Sequence, residues 1–110
     1  MHPRRGEVWW IAFDPSVGGE IQKTRPAIII SNNGANMALN RVVVVPLTSQ
    51  IAKVYAGQAM VTLNGEPRKA MTDQLTTASK ERLRSRLGTV STSDMGLVER
   101  AILLHLGIRR

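Results

Sequence analysis

The sequence predicts a small, mainly β (α+β) fold: a twisted barrel with a single helix docked on it at the C-terminal end. Short runs rich in Val, Ile and Trp succeed one another through the first two-thirds of the 110 residues. Turn-forming pairs such as Asp14-Pro15 and Asn64-Gly65 separate them, and clear helical periodicity appears once, after residue 91. One domain spanning 1–110 is expected, because a chain of this length has room for one core and not for two.

Residues 7–13, EVWWIAF, form the first predicted strand, stopped by Asp14-Pro15. Both of its faces are apolar, with Trp9, Ile11 and Phe13 on one and Val8, Trp10 and Ala12 on the other, as suits a strand covered on both sides. Residues 16–24 hold Gly18-Gly19 among polar side chains and predict a loop longer than a tight hairpin needs, the kind of segment that carries function. Pro26 opens a second strand over 26–31, where its missing N–H is harmless, and Asn32-Asn33-Gly34 signals a turn.

Residues 41–47 are the most β-prone stretch of the chain, ended by the polar Thr48-Ser49-Gln50. Residues 58–63 alternate, with Ala59, Val61 and Leu63 on one face, and close at Asn64-Gly65. Shorter strands are expected at 70–74 and 87–91, with one helical turn inside 79–86. Ser91-Thr92-Ser93-Asp94 offers a helix N-cap; Met95, Val98, Ala101, Ile102 and Leu106 then recur at helical spacing until Gly107 supplies a stop. Strands first and a helix last describe an SH3-like barrel rather than a parallel sheet.

Fifteen Lys and Arg oppose eight Asp and Glu, a net charge of +7, and eleven of the fifteen are Arg. Arg presents a planar fork that fits phosphate oxygens, so the balance points to a polyanionic partner. Nucleic acid is favoured over a membrane surface, since no basic amphipathic helix stands out. Cysteine is absent, which excludes disulfides and thiolate chemistry. The longest clean apolar runs, at 27–30 and 42–45, fall far below the roughly 18 residues of a membrane span. No apolar signal core follows Met1, so a soluble, cytoplasmic protein is expected.

The histidines are His2 and His105 alone, at opposite ends of the chain, which disfavours a His-ligated metal or a His-based acid–base pair. Phosphate-binding glycine motifs are missing, so nucleotide-dependent phosphoryl transfer is not expected. What remains are guanidinium, hydroxyl and carboxylate groups at strand ends. In Thr24-Arg25-Pro26 the proline biases Arg25 to extended geometry at a loop-to-strand junction, and Thr48 stands at the exit of the strongest strand. Taken singly, an arginine before a proline is more often a surface ion-pair partner, and a strand-end threonine more often satisfies β propensity or a turn bond.

Six segments taken in order carry a stronger signal: Arg5-Gly6-Glu7-Val8-Trp9; Asp14-Pro15 with Gly18-Gly19-Glu20; Lys23-Thr24-Arg25-Pro26-Ala27; Val44-Val45-Pro46-Leu47-Thr48-Ser49; Asp73-Gln74-Leu75-Thr76-Thr77; and Lys80-Glu81-Arg82-Leu83 leading to Leu87-Gly88. Together they resemble the MazF/PemK family of toxins over nearly the whole chain. The resemblance implies a homodimeric SH3-like barrel that cuts single-stranded RNA at short sequences, without metal or other cofactor, and is silenced by a cognate antitoxin protein. It places Arg25 and Thr48 on the catalytic arginine and threonine positions and Glu20 on an acidic loop position that contributes to activity in some members. Lys23, Thr24, Ser49, Gln74 and Arg82 fall in segments expected to bind RNA. Two rivals remain at this point: a toxin of similar shape that targets DNA gyrase, and a barrel that binds nucleic acid without cutting it.

Overall fold

The computed structural model describes residues 2–13 and 23–109. Glu20 lies outside them. The elements run β1 (Glu7–Phe13), β2 (Lys23–Ile29), α1 (Asn33–Ala38), β3 (Arg41–Thr48), β4 (Ala59–Leu63), β5 (Glu66–Ala70), β6 (Thr76–Ser79), β7 (Leu83–Thr89) and α2 (Thr92–Leu106), with 3₁₀ turns at Thr72–Gln74 and Lys80–Arg82. The strands form one curled antiparallel sheet in the order β4-β5-β3-β2-β1-β7, and β6 also pairs with β3.

β3 is the hub of this sheet. Along one edge it pairs with β2, from Ala27↔Pro46 to Ile29↔Val44. Along the other it pairs first with β6 (Arg41↔Ser79 to Val44↔Thr76) and then with β5 (Leu47↔Ala70, Thr48↔Lys69). Two partners sharing one edge force the sheet to curl, and a mainly β half-barrel with one C-terminal helix results, as the sequence predicts.

Strand alternation sorts the apolar side chains into two clusters. Val8, Ile28, Val45, Leu47, Ala59, Val61, Leu63 and Ala70 meet Met95, Val98 and Ala101 of α2. Trp9, Ile11, Ala27, Ile29, Val42, Val44 and Ala78 pack on the opposite face. Each fully buried Val, Leu or Ile contributes about 1.5–3 kcal/mol of burial free energy, so this double-sided packing, not propensity, holds the sheet.

α2 forms where its caps and periodicity put it. The Ser91 side chain accepts from the Asp94 backbone N–H, Gly107 closes the helix at φ 73°, and Met95, Val98 and Ala101 are buried. The Asn64-Gly65 turn also forms as read, with both residues at positive φ, the geometry a two-residue hairpin needs. Elsewhere the structure departs from expectation. Asn32-Asn33-Gly34 is not a turn but the start of α1: the Asn32 side chain caps the Ala35 N–H, so its turn chemistry serves a helix N-terminus instead. The fifth strand covers 66–70 rather than 70–74, which is mostly a 3₁₀ turn, and β7 begins at Leu83 rather than 87. Pro67 sits beyond the short β3–β5 pairing, where its missing N–H interrupts nothing on that side. Trp9 and Trp10 also part company, for Trp9 is 3% exposed and belongs to the core whereas Trp10 is 36% exposed.

The N-terminal segment stitches the sheet to α2. The Gly6 N–H donates to the Ile29 carbonyl and the Gly6 carbonyl accepts from Val90. Arg5 donates through Nε to the Ile30 carbonyl and pairs with Glu99 of α2. Glu7 accepts from the Arg4 N–H at 2.8 Å and the Trp9 indole at 3.0 Å, with Arg86 at 3.3 Å. Burial alone would raise the Glu7 pKa, but these donors and the Arg86 charge together hold it below the usual glutamate range. A carboxyl depressed on folding stabilises the protein above its unfolded pKa, and that stability drains away as pH falls through the folded value. Glu7→Gln is therefore expected to flatten the loss of thermal stability on acidification below about pH 4.3, the ordinary glutamate value. Melting curves from pH 7 to 3 read this, and identical profiles for both proteins would refute it.

Candidate active site

Cross-strand register, not sequence proximity, assembles the site. Ile11 of β1 stands opposite Arg25 of β2, and Thr48 of β3 stands opposite Lys69 of β5. The β2–β3 pairing ends at Ala27↔Pro46, and Arg25 and Thr48 each lie two residues beyond it at the same end of the two strands. Thr48 and Lys69 are thus direct cross-strand neighbours, with Arg25 at the same end of the adjoining strand.

A cleft of about 280 Å³ opens here, lined by Trp10, Lys23, Thr24, Arg25, Pro26, Leu47, Thr48, Ser49 and Arg68. Five residues that the sequence singles out, Lys23, Thr24, Arg25, Thr48 and Ser49, are brought together in it. Its lining carries three cations, Lys23, Arg25 and Arg68, and no carboxylate among the described residues. Such a surface favours a phosphate group.

Local structure aims the pieces. Thr48 is the last residue of β3, and its Oγ1 accepts the Gln50 N–H at 3.2 Å, which fixes the hydroxyl and leaves its proton to donate. Pro26 holds Arg25 extended at the mouth of β2. Lys23, the first residue of that strand, has φ 68°, a left-handed conformation costing about 1–3 kcal/mol in a non-glycine residue. Strain of this kind concentrates at working surfaces because it re-aims the chain where regular geometry would not.

Two predicted residues lie elsewhere. Arg82 donates to the Ala12 carbonyl at 3.1 Å and so clamps the end of β1. Gln74 sits in the 3₁₀ turn after β5, and neither residue lines the cleft. The neighbouring Asp73 accepts from the Gln58 side chain at 3.0 Å, which ties the β3–β4 connection to this turn. Conversely, Arg68 and Trp10 line the cleft without having been singled out as site residues. Arg68 hides in Glu66-Pro67-Arg68-Lys69, whose proline and charges obscure a strand; Trp10 is indistinguishable by composition from its buried neighbour. Among the described residues no group of three or more metal-ligating side chains is found, and no helix is long and apolar enough to cross a membrane.

Residues 4–106 match the family model described as PemK-like, MazF-like toxin of type II toxin-antitoxin system. The chain belongs to this toxin family. Among MazF/PemK relatives it is 36% identical over 114 residues to endoribonuclease MazF9 of Mycobacterium tuberculosis, with 96% of this chain and 97% of the relative covered. It is 33% identical over 112 residues to the endoribonuclease toxin MazF of Escherichia coli, with 96% and 95% covered. The MazF/PemK fold is also evident by superposition. A crystal structure of MazF from Deinococcus radiodurans aligns with a TM-score of 0.85 at 22% identity, covering 98% of this chain and 99% of that one. An endoribonuclease in complex with its cognate antitoxin, from a mycobacterial species, aligns at 0.82 and 24% identity, covering 98% of both chains.

Proposed function

We propose that this MazF/PemK toxin cuts single-stranded RNA by transesterification, leaving a 2′,3′-cyclic phosphate and a 5′-OH, and that Arg25 and Thr48 form its catalytic centre. The observation that carries this reading is the shared basic cleft in which both residues meet Lys23, Thr24 and Ser49. RNA brings its own nucleophile, so the protein need only orient the strand, stabilise charge on the phosphorane and help protons move. The 2′-oxygen bonds to the adjacent phosphorus as the P–O5′ bond breaks. Arg25 donates to the non-bridging oxygens, where negative charge accumulates. Thr48, its hydroxyl held by the Gln50 N–H, donates to the phosphate or to the departing O5′. Glu20 or a water takes the 2′ proton. Arg68 adds a second guanidinium to the same cleft.

Single strands suit this cleft because A-form duplex hides its base edges. The chemistry predicts 5′ ends that accept a phosphate label from polynucleotide kinase without prior dephosphorylation, and cleavage that persists in excess EDTA. Ends carrying 5′-phosphate, or complete loss of cutting in EDTA, would overturn the mechanism.

The net charge of +7 also suits a cognate antitoxin whose acidic segment covers the cleft, and cytoplasmic RNA is the substrate pool this reading implies. Leu97, Leu104 and Leu106 of α2 remain exposed, an apolar surface in keeping with a homodimer. Light scattering is expected to give twice the 12.1 kDa chain mass; a strictly monomeric protein across a concentration series would contradict the dimer.

A further inference from the structure

Beside the cleft stands an aromatic ring with an environment of its own. Tyr55, in the β3–β4 connection, is 56% exposed, and two ammonium groups approach its ring, Lys53 at 5.5 Å and Lys69 at 6.0 Å from the centroid. An exposed tyrosine is ordinarily a loop accident, free to rotate away. The backbone beneath this one is held in place. Its carbonyl accepts the Gln58 N–H at 3.0 Å, and its own N–H donates to the Gln58 side-chain oxygen at 3.0 Å. The Gln58 amide then donates to Asp73 at 3.0 Å, and Gly57 turns the chain at φ 84°, where a Cβ would come within 3.4 Å of His105. Lys69 closes the other side by donating to the Lys53 carbonyl at 3.0 Å.

The platform adjoins the reaction centre, because Lys69 is the cross-strand partner of Thr48 and side chains of directly opposed residues project from the same face. Lys69 thus stands next to Thr48 with its ammonium 6.0 Å from the Tyr55 centroid, within reach of a nucleotide adjoining the one held at Thr48. An exposed ring on a held backbone, flanked by two cations, matches what an unpaired nucleotide offers: a π-face to stack and phosphates to neutralise. Holding the backbone of the loop in place beforehand lowers the ordering cost of binding. We propose that Tyr55, with Lys53 and Lys69, forms a stacking subsite for the base of a nucleotide flanking the linkage that is cut. This rests on the RNA-cleaving function proposed above and extends it to a specific substrate contact.

The test uses the full chain and a single-stranded RNA oligonucleotide spanning a mapped cut site, with 2′-deoxyribose at that site to prevent cleavage. Tyr55→Ala is expected to weaken binding by about 5- to 150-fold, the range seen when one base loses its aromatic partner, while Tyr55→Phe binds like wild type. Circular dichroism checks that both variants fold. The same oligonucleotide is then made abasic at one flanking position at a time. At one of those positions the penalty of Tyr55→Ala should vanish, a coupling that a merely structural tyrosine would not show. If wild type binds RNA and Tyr55→Ala binds equally well, or if its penalty survives every abasic position, the subsite is wrong and the cleavage function stands. If wild type neither binds nor cuts RNA, the function itself fails and takes the subsite with it.

Discussion

Arg25→Ala is expected to lower RNA cleavage by about 10²- to 10³-fold, the usual cost of removing one preorganised charge donor from a transition state. The residue is half-buried at the mouth of β2, contributes no core packing, and borders the cleft with Thr48. Its loss should therefore spare the fold, and the variant should melt within a few degrees of wild type. Arg25→Lys is expected to recover only part of the rate, because an ammonium supplies charge without the planar fork that engages two phosphate oxygens at once. Single-turnover kinetics on a defined single-stranded substrate, beside circular dichroism, measure both. A folded Arg25→Ala protein cutting at the wild-type rate would remove Arg25 from the reaction.

The largest effect on stability is expected from Leu47→Ala, at about 2–5 kcal/mol. Leu47 is fully buried and packs in the cluster that joins the sheet to α2, while also bordering the cleft one residue before Thr48. Shortening it leaves a void where β2, β3 and β5 meet and where their mutual registers hold both neighbours fixed. The surrounding strands have little room to collapse, so the cost falls toward the upper part of that range. Urea unfolding gives the number if the transition is two-state. A loss below about 1 kcal/mol would show that the sheet relaxes around the gap, contrary to the packing described.

Sequence periodicity gave up the elements that local chemistry fixes. β1, β3 and α2 could be placed from their β-branched runs, caps and spacing, and Asn64-Gly65 announced its hairpin. Asn32 misled because asparagine favours turns and helix N-termini by the same side-chain bond to a backbone N–H, and only the residues packed beyond it decide which forms. β5 was misplaced because Pro67 argues against a strand unless one knows that its neighbour β3 has already ended. For the site, Arg25 and Thr48 were legible through the resemblance, with Lys23, Thr24 and Ser49 beside them. Arg68, Trp10 and Tyr55 were not, since what makes them notable is which strand lies next to which, and that information is absent from any local window. Gln74 and Arg82 were legible as members of matching segments, yet Arg82 secures the end of β1 and Asp73 secures the β3–β4 connection.

Because β3 receives β2 on one edge and both β6 and β5 on the other, residues 25, 48 and 68 converge only once pairings far apart along the chain have all closed. Non-local contacts of this sort form late, after much loop entropy has been surrendered. A chain in which β5 has not yet paired has the arginine and the threonine but lacks the Arg68 guanidinium that completes the cleft. The full positive lining of the cleft is thus a property of the finished sheet and of no single hairpin within it.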